Sequence, residues 1–381
     1  MVLCNLYRPG KGSIFDISIS GDIIGCISPK INSDDQVQYT FNHAMCFPGL
    51  INSHDHLDFD LFPQLGDGAY TNYVQWGPAI QKQYSSIITK VQAIPENVRT
   101  RWGMYKNLLS GITTVVHHGK KVKVDEPLIN ILQHEQSIHS VKFEKWWKLR
   151  MNNFLNSRRL CVMHAGEGTD GDAVEEIDEL IKWNLLKRKL VAVHGVAMTE
   201  KQAARFEALI WCPTSNMFLF GKTAAIDGLK KLTNVCLGTD STLTSGWNIW
   251  EHLREARRSG LVNDEELYKM ISVNPKNLWK INTGELAENK KADIVIAEGV
   301  GSDWDSFYSI NPENILLIIH DGRIRLCDES ICSLLNNGEG AYDKINIGER
   351  IKYVAGGMAI LVKEIRKYLP SVTFPFSIIE N

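Results

Sequence analysis

Six short apolar stretches recur through the middle of this 381-residue chain, near 47–53, 111–116, 159–163, 190–193, 208–212 and 234–238, with helical or polar sequence between them. Each is too short for a helix and suits a buried strand. Between them, Glu175-Glu-Ile-Asp-Glu-Leu-Ile-Lys-Trp-Asn-Leu-Leu186 and Trp247-Asn-Ile-Trp-Glu-His-Leu-Arg-Glu-Ala256 carry apolar residues at helical spacing. Strand followed by helix, repeated over about 240 residues, predicts an α/β fold: a (β/α)8 barrel of the TIM type. Six strands are plain. The two short runs 128–132 and 138–143 are the candidates for the remaining pair.

Both chain ends have a different texture. Ile14-Phe-Asp-Ile-Ser-Ile-Ser20 alternates apolar and polar residues, and Gly21-Asp22 turns it into Ile23-Ile-Gly-Cys-Ile27, a hairpin pattern. Strand-like runs return at 292–297, 314–319 and 323–327. Strands from both ends are expected to build one small β-sandwich. The expected organisation is a composite sandwich domain from 1–46 and 285–335, a barrel over 47–284, and a C-terminal helical extension over 336–381. In that extension, residues 349–369 place apolar side chains at 351, 354, 358, 361, 362 and 365. This predicts one amphipathic helix ended by Pro370, packed on the body of the protein or on a second subunit. A homodimer is therefore a candidate assembly.

Composition narrows the class of partner. The formal net charge is −2 and 23% of residues are charged, so nothing points to nucleic acid or a membrane surface. The longest apolar runs, such as Ile315-Leu-Leu-Ile-Ile319, are far too short to cross a bilayer. The start lacks a charged segment followed by a long apolar core, so no leader is expected. The eight cysteines are scattered, with no Cys-x-x-Cys pair, and read as reduced core residues of a cytoplasmic protein. A small-molecule substrate remains.

The strand ends carry the chemistry. Leu50-Ile-Asn-Ser-His-Asp-His56 ends in two histidines one residue apart, which share a side of an extended strand. Taken alone, such a pair is as well explained by a strand cap and a solvated imidazole. Three further strand ends repeat the theme: Cys161-Val-Met-His164, followed by Glu167; Leu190-Val-Ala-Val-His194; and Val235-Cys-Leu-Gly-Thr-Asp240. A fourth is Val115-Val-His117-His118. One histidine at a strand end is ordinarily a hydrogen-bonded structural residue, and Asp after Gly-Thr is ordinarily a turn or cap. Metal-type residues at so many strand ends, in a chain with eleven histidines, argue for one divalent metal ion. Imidazoles with a carboxylate suit Zn2+ with an open position for water, and Fe2+, Mn2+ or Ni2+ fit the same donors.

At this point the chain resembles the amidohydrolase superfamily, in its mononuclear deaminase and chlorohydrolase branch, over residues 15–330. The resemblance rests on Pro48-Gly-Leu-Ile-Asn-Ser-His-Asp-His56, Gly111-Ile-Thr-Thr114, His164-Ala-Gly-Glu167, His194-Gly195, Cys212-Pro-Thr-Ser-Asn216, Gly238-Thr-Asp240 and Ala292-Asp-Ile-Val295. It implies that His54, His56, His164 and Asp240 hold the metal, that Glu167 shuttles protons, and that His194 orients or polarises the substrate. Residues His118, Trp76, Phe218 and Ser241 follow strand ends and are candidates to line the pocket, with local core packing as the alternative. The implied activity is hydrolytic deamination of a nitrogen heterocycle by metal-activated water. Hydrolysis of an amide or another C–X bond without ammonia release, and a metal-containing binding protein without turnover, are the other two readings. The chain is shorter than most relatives between the second and fifth strands, and no motif selects a substrate.

Overall fold

The strands of the computed structural model, which describes residues 1–32, 37–299, 301–335 and 342–380, form three sheets. Leu50–Asp55, Ile112–His117 and Asn130–Leu132 pair in parallel. So do Gln136–Ile138, Cys161–Ala165, Leu190–His194, Ala208–Trp211 and Asn234–Leu237. The class is α/β, as the alternation predicts.

The longer of these strands are buried along their whole length because both of their faces are covered. One face turns Ile51, Val116, Val162, Val193, Ile210 and Cys236, drawn from both parallel sheets, into a single apolar cluster with Leu278 and Trp279. The other face sends Leu50, Ile112, Met163, Leu209 and Leu237 against the helices. The helix Gly171–Trp183 shows how those helices are set. Asp170 caps it by accepting the N–H of Ala173 at 3.0 Å, and Ala173, Ile177 and Leu180 form its buried face.

The short middle strands depart from expectation. Asn130–Leu132 falls within the first candidate run, but the second strand is Gln136–Ile138 rather than 138–143. The Oγ of Ser140 accepts the N–H of Phe143 at 3.2 Å and turns the chain there. Three residues separate the two strands, yet one pairs with Ile112–His117 and the other with Cys161–Ala165. A parallel return needs a crossover of about a dozen residues. The chain therefore runs on in one direction and passes from one sheet to the other.

Strands from both chain ends join one ten-stranded mixed sheet instead of two separate layers. At its centre Gln38–Pro48 pairs with Val2–Arg8 and with Ile294–Glu298. Leu3, Ile17 and Ile24 from one flank share a core with Leu317, Ile319 and Ile324 from the other, so the single sheet curls around its own apolar centre. The turns of two hairpins meet there. A Cβ on Gly322, whose φ is +71°, would lie 1.9 Å from the carbonyl oxygen of Gly21, so only glycine fits.

The C-terminal segment also differs from one continuous helix. Tyr342–Ile347 and Arg350–Ala355 are strands that extend the same sheet from Arg323–Asp328, and the helix is Met358–Tyr368. Lys352 faces inward, donating to the carbonyls of Glu313 and Ile315 at 2.8 and 2.7 Å and to Asp328 at 2.6 Å. Gly356 and Gly357, with φ of +93° and +80°, break the path before the helix starts. That helix packs on Glu96–Leu109, and Phe374 beyond it meets Trp102 edge to face at 4.8 Å. The boundary expected at 336 lies outside the described residues. All eight cysteines are free, and five of them are buried. Among the described residues no helix is long and apolar enough to cross a membrane.

Candidate metal centre

His54 lies near the end of the strand Leu50–Asp55, and His164 in the strand Cys161–Ala165. Their Nε2 atoms are 3.2 Å apart, and Nε2 of His56 is 3.4 Å from that of His164. Asp240 Oδ1 lies 3.7 Å from Nε2 of both His54 and His56. All four side chains are buried.

Neighbouring groups fix these side chains. His164 donates its Nδ1–H to the carbonyl of His139 at 2.9 Å, which leaves the Nε2 lone pair facing the cluster. Asp240 Oδ2 accepts the hydroxyls of Ser215 and Thr244, both at 2.9 Å, and Oδ1 accepts the N–H of Ser241 at 2.8 Å. His56 stacks on Phe59 with ring centroids 5.7 Å apart.

The donor set fits one divalent metal ion. Imidazole nitrogens at the corners of a tetrahedron about zinc stand about 3.3 Å apart, close to the spacing found here. The Nε2 atoms of these imidazoles and Asp240 Oδ1 lie close enough together that a single cation would engage all four. Burial, with the other imidazoles adding to it, holds His56 and His164 well below the usual histidine pKa, so both are neutral and ready to ligate. Burial alone would raise Asp240, but the adjacent imidazoles of His54, His194 and His56 keep it well below the carboxylate range.

Two further groups adjoin this set. His194 donates its Nδ1–H to Asn216 Oδ1 at 2.9 Å, and its buried Nε2 has no hydrogen-bond partner. That nitrogen lies 3.6 Å from Glu167 Oε1 and 4.0 Å from Asp240 Oδ2. Burial takes His194 down to about 4, against the pull of Asp240. Burial first, then the charges of Asp240 and Glu176, raise Glu167 well above the usual carboxylate value. His194 and Asp240 both adopt left-handed backbone, with φ of +72° and +57°. Non-glycine residues held this way are strained, and such strain concentrates at functional sites.

The remaining candidates divide. His118 joins the cluster, its ring centroid 4.6 Å from that of His164. Ser241 holds Asp240 through its backbone. Trp76 instead donates Nε1–H to the carbonyl of Leu65 at 2.9 Å, and with Phe218 it packs against Tyr70, Val196 and Phe220. Neither aromatic ring reaches the histidines by a described contact. Sequence reasoning passed over His139, Asn216, Ser215 and Thr244. Ser215 and Asn216 end the quoted Cys212-Pro-Thr-Ser-Asn motif, so their signal was in view; His139 and Thr244 act through tertiary proximity.

The site so assembled is a buried set of metal-type donors with a carboxyl group of raised pKa and an unpartnered imidazole beside it. Comparisons with known proteins bear on the family and the fold. The amidohydrolase family profile matches residues 157–325. A curated 5-methylthioadenosine/S-adenosylhomocysteine deaminase of Pyrococcus horikoshii is 24% identical over 356 residues, covering 76% of this chain and 82% of its own length. Its counterpart from Pyrococcus furiosus is 22% identical over 345 residues, covering 74% and 81%. A solved structure of atrazine chlorohydrolase from Arthrobacter aurescens, complexed with zinc, superposes with a TM-score of 0.71 at 16% identity, covering 97% of this chain and 100% of that one. At that identity the likeness is one of fold. The chain is thus similar to the amidohydrolase family in sequence over residues 157–325 and to curated deaminases over about three quarters of its length.

Proposed function

We propose that this protein is a metal-dependent hydrolase that deaminates a nitrogen heterocycle. The observation that carries the proposal is the convergence of His54, His56, His164 and Asp240 on one point, with Glu167 and His194 at its edge. These four residues would hold the ion, and the donors suit zinc. A bound divalent cation makes hydroxide available near neutral pH by acidifying water.

The chain's own groups then have distinct tasks. Asp240, held ionised and oriented by three hydrogen bonds, accepts a proton from the attacking water. Glu167 enters protonated, donates at Oε1 to a ring nitrogen of the substrate, and takes part in returning a proton to the leaving amine. His194 presents Nε2 to the substrate group under attack, its tautomer fixed by Asn216. The substrate is a small molecule. Adenine nucleosides head the candidates, because the curated relatives carry the name 5-methylthioadenosine/S-adenosylhomocysteine deaminase. His118, Trp76, Phe218 and Ser241 remain the proposed lining of the pocket.

We also read the two parallel sheets as halves of one barrel. Their shared apolar cluster supports this, as do the N–H groups of Thr239 and Asp240, which both donate to the carbonyl of His54 at 3.1 Å. On this reading 130–138 fills a single strand position, and the barrel has seven positions where eight were expected. Residues 1–46 and 285–335 form the companion unit, and 342–380 extend it. The free cysteines suit a cytoplasmic setting.

The test is ammonia release by metal-loaded protein supplied with 5-methylthioadenosine, S-adenosylhomocysteine, guanine, cytosine and aminotriazines. Release from one of these, with water as the only co-substrate, is the expected result. Turnover of a chlorinated or amide substrate without ammonia would move the assignment to C–X bond hydrolysis. Metal-bound protein that turns over none of them would overturn it.

A further inference from the structure

A cavity of about 660 Å3 opens at the seam where residues 130–138 cross from one parallel sheet to the other. That volume is within the range of small-molecule sites. The seam is open for a local reason. Most of the parallel strands are followed by a helix, but the connections 118–129 and 133–135 contain none. The wall there lacks its outer layer.

The lining has two chemical ends. At the buried end are His54 and His118, so the cavity reaches the histidine cluster. His118 Nε2 is buried and has no hydrogen-bond partner. A buried polar atom left in this way calls for a ligand atom or water. At the exposed end stand Lys120, Lys121, Arg159 and Lys280, none with an ion-pair partner among the described residues. Glu135 is the one acidic residue of the lining, and its Oε2 is engaged by the N–H of Leu160 at 2.6 Å. A concave site with this excess of one charge concentrates ligands of the other.

We propose that this cavity takes the anionic arm of a phosphate- or carboxylate-bearing small molecule whose other end reaches the histidine cluster. The proposal rests on the reading of that cluster as the reacting centre. Its test measures binding alone, so it can fail while the deaminase assignment stands.

The experiment is calorimetric titration of the metal-loaded protein with pyrophosphate, and with citrate alongside to separate the two kinds of anion. The double variant Lys120→Glu/Lys121→Glu reverses the charge of two of the four rim cations at exposed positions. Lys201→Glu makes the same kind of charge change outside the cavity. Wild-type protein stripped of metal with a chelator separates the rim from chelation by the ion. The expected result is saturable binding of at least one anion, weakened by added salt and by at least about tenfold in the double variant. Lys201→Glu and the stripped protein should bind as the loaded wild type does. Equal affinity in the double variant would overturn the proposal. So would binding lost on metal removal, or no binding of either anion at millimolar concentration.

Discussion

The ammonium of Lys106 lies 3.0 Å from the carboxylate of Asp55 and 2.7 Å from that of Asp60, and none of the three side chains is exposed. Asp55 stands between His54 and His56, and its Oδ2 also accepts from Asn52 and Asn107 at 3.1 and 2.7 Å. The network pins the backbone between two metal-facing imidazoles. Lys106→Met should leave two buried carboxylates without their cation, at a cost of about 3–5 kcal/mol. Denaturant unfolding measures that loss, and metal analysis of the folded fraction should show weakened retention. An unchanged unfolding midpoint would contradict this account.

His164 touches both of the other imidazoles. Purified wild-type protein should carry about one equivalent of divalent metal, and His164→Ala well below that. Because a ligand that binds only the folded state raises its stability, added zinc should raise the Tm of stripped wild type and leave that of His164→Ala unmoved. Two tightly held ions in the wild type would require donors beyond His54, His56, His164 and Asp240, and Asp293, His320 and Asp321 form another such group.

Glu167 is close to the cluster without being one of its proposed ligands. Glu167→Gln keeps the shape and removes the transferable proton. It should lower kcat by about 10²–10⁴-fold while metal content stays at the wild-type level. A variant with full activity would remove Glu167 from the mechanism.

Glu176 gives a pH signature. It accepts the hydroxyl of Tyr73 at 2.8 Å, and burial raises it from 4.5 to about 7 in the folded protein. A carboxyl raised on folding contributes stability that is complete below its unfolded pKa and is lost as pH rises through its folded one. Its contribution should therefore fade between about pH 4.5 and about pH 7. Glu176→Gln should flatten that part of the stability profile, as read by urea unfolding at about pH 5 and about pH 8. A slope equal to that of the wild type would show that another group sets it.

The sequence exposed the residues that end strands and concealed those that act across the fold. His54, His56, His164 and Asp240 were visible because each terminates a short apolar run, and such ends gather at one face of a parallel α/β fold. Lys106 looks like any other helical lysine until Asp55 and Asp60 are seen around it. The span 349–369 misled because its apolar positions satisfy a helical stripe while 350–355 also obey the two-residue alternation of a strand. The seam at 130–138 was hidden too, since an apolar run does not say which neighbour it will pair with. Trp76 and Phe218 were sensibly placed near strand ends, but proximity in sequence gave no distance to the cluster.

The C-terminal residues carry a practical consequence for anyone handling this protein. Tyr342–Ile347 and Arg350–Ala355 cover the flank of Arg323–Asp328, and the helix Met358–Tyr368 rests on the helix that bears Lys106 and Asn107. Cutting the chain after 335 would expose a strand whose free backbone groups invite pairing between molecules. It would also unclamp the helix that steadies Asp55. Expression designs that trim this end for convenience should yield aggregates and leaky metal sites together, so affinity tags and truncations belong elsewhere.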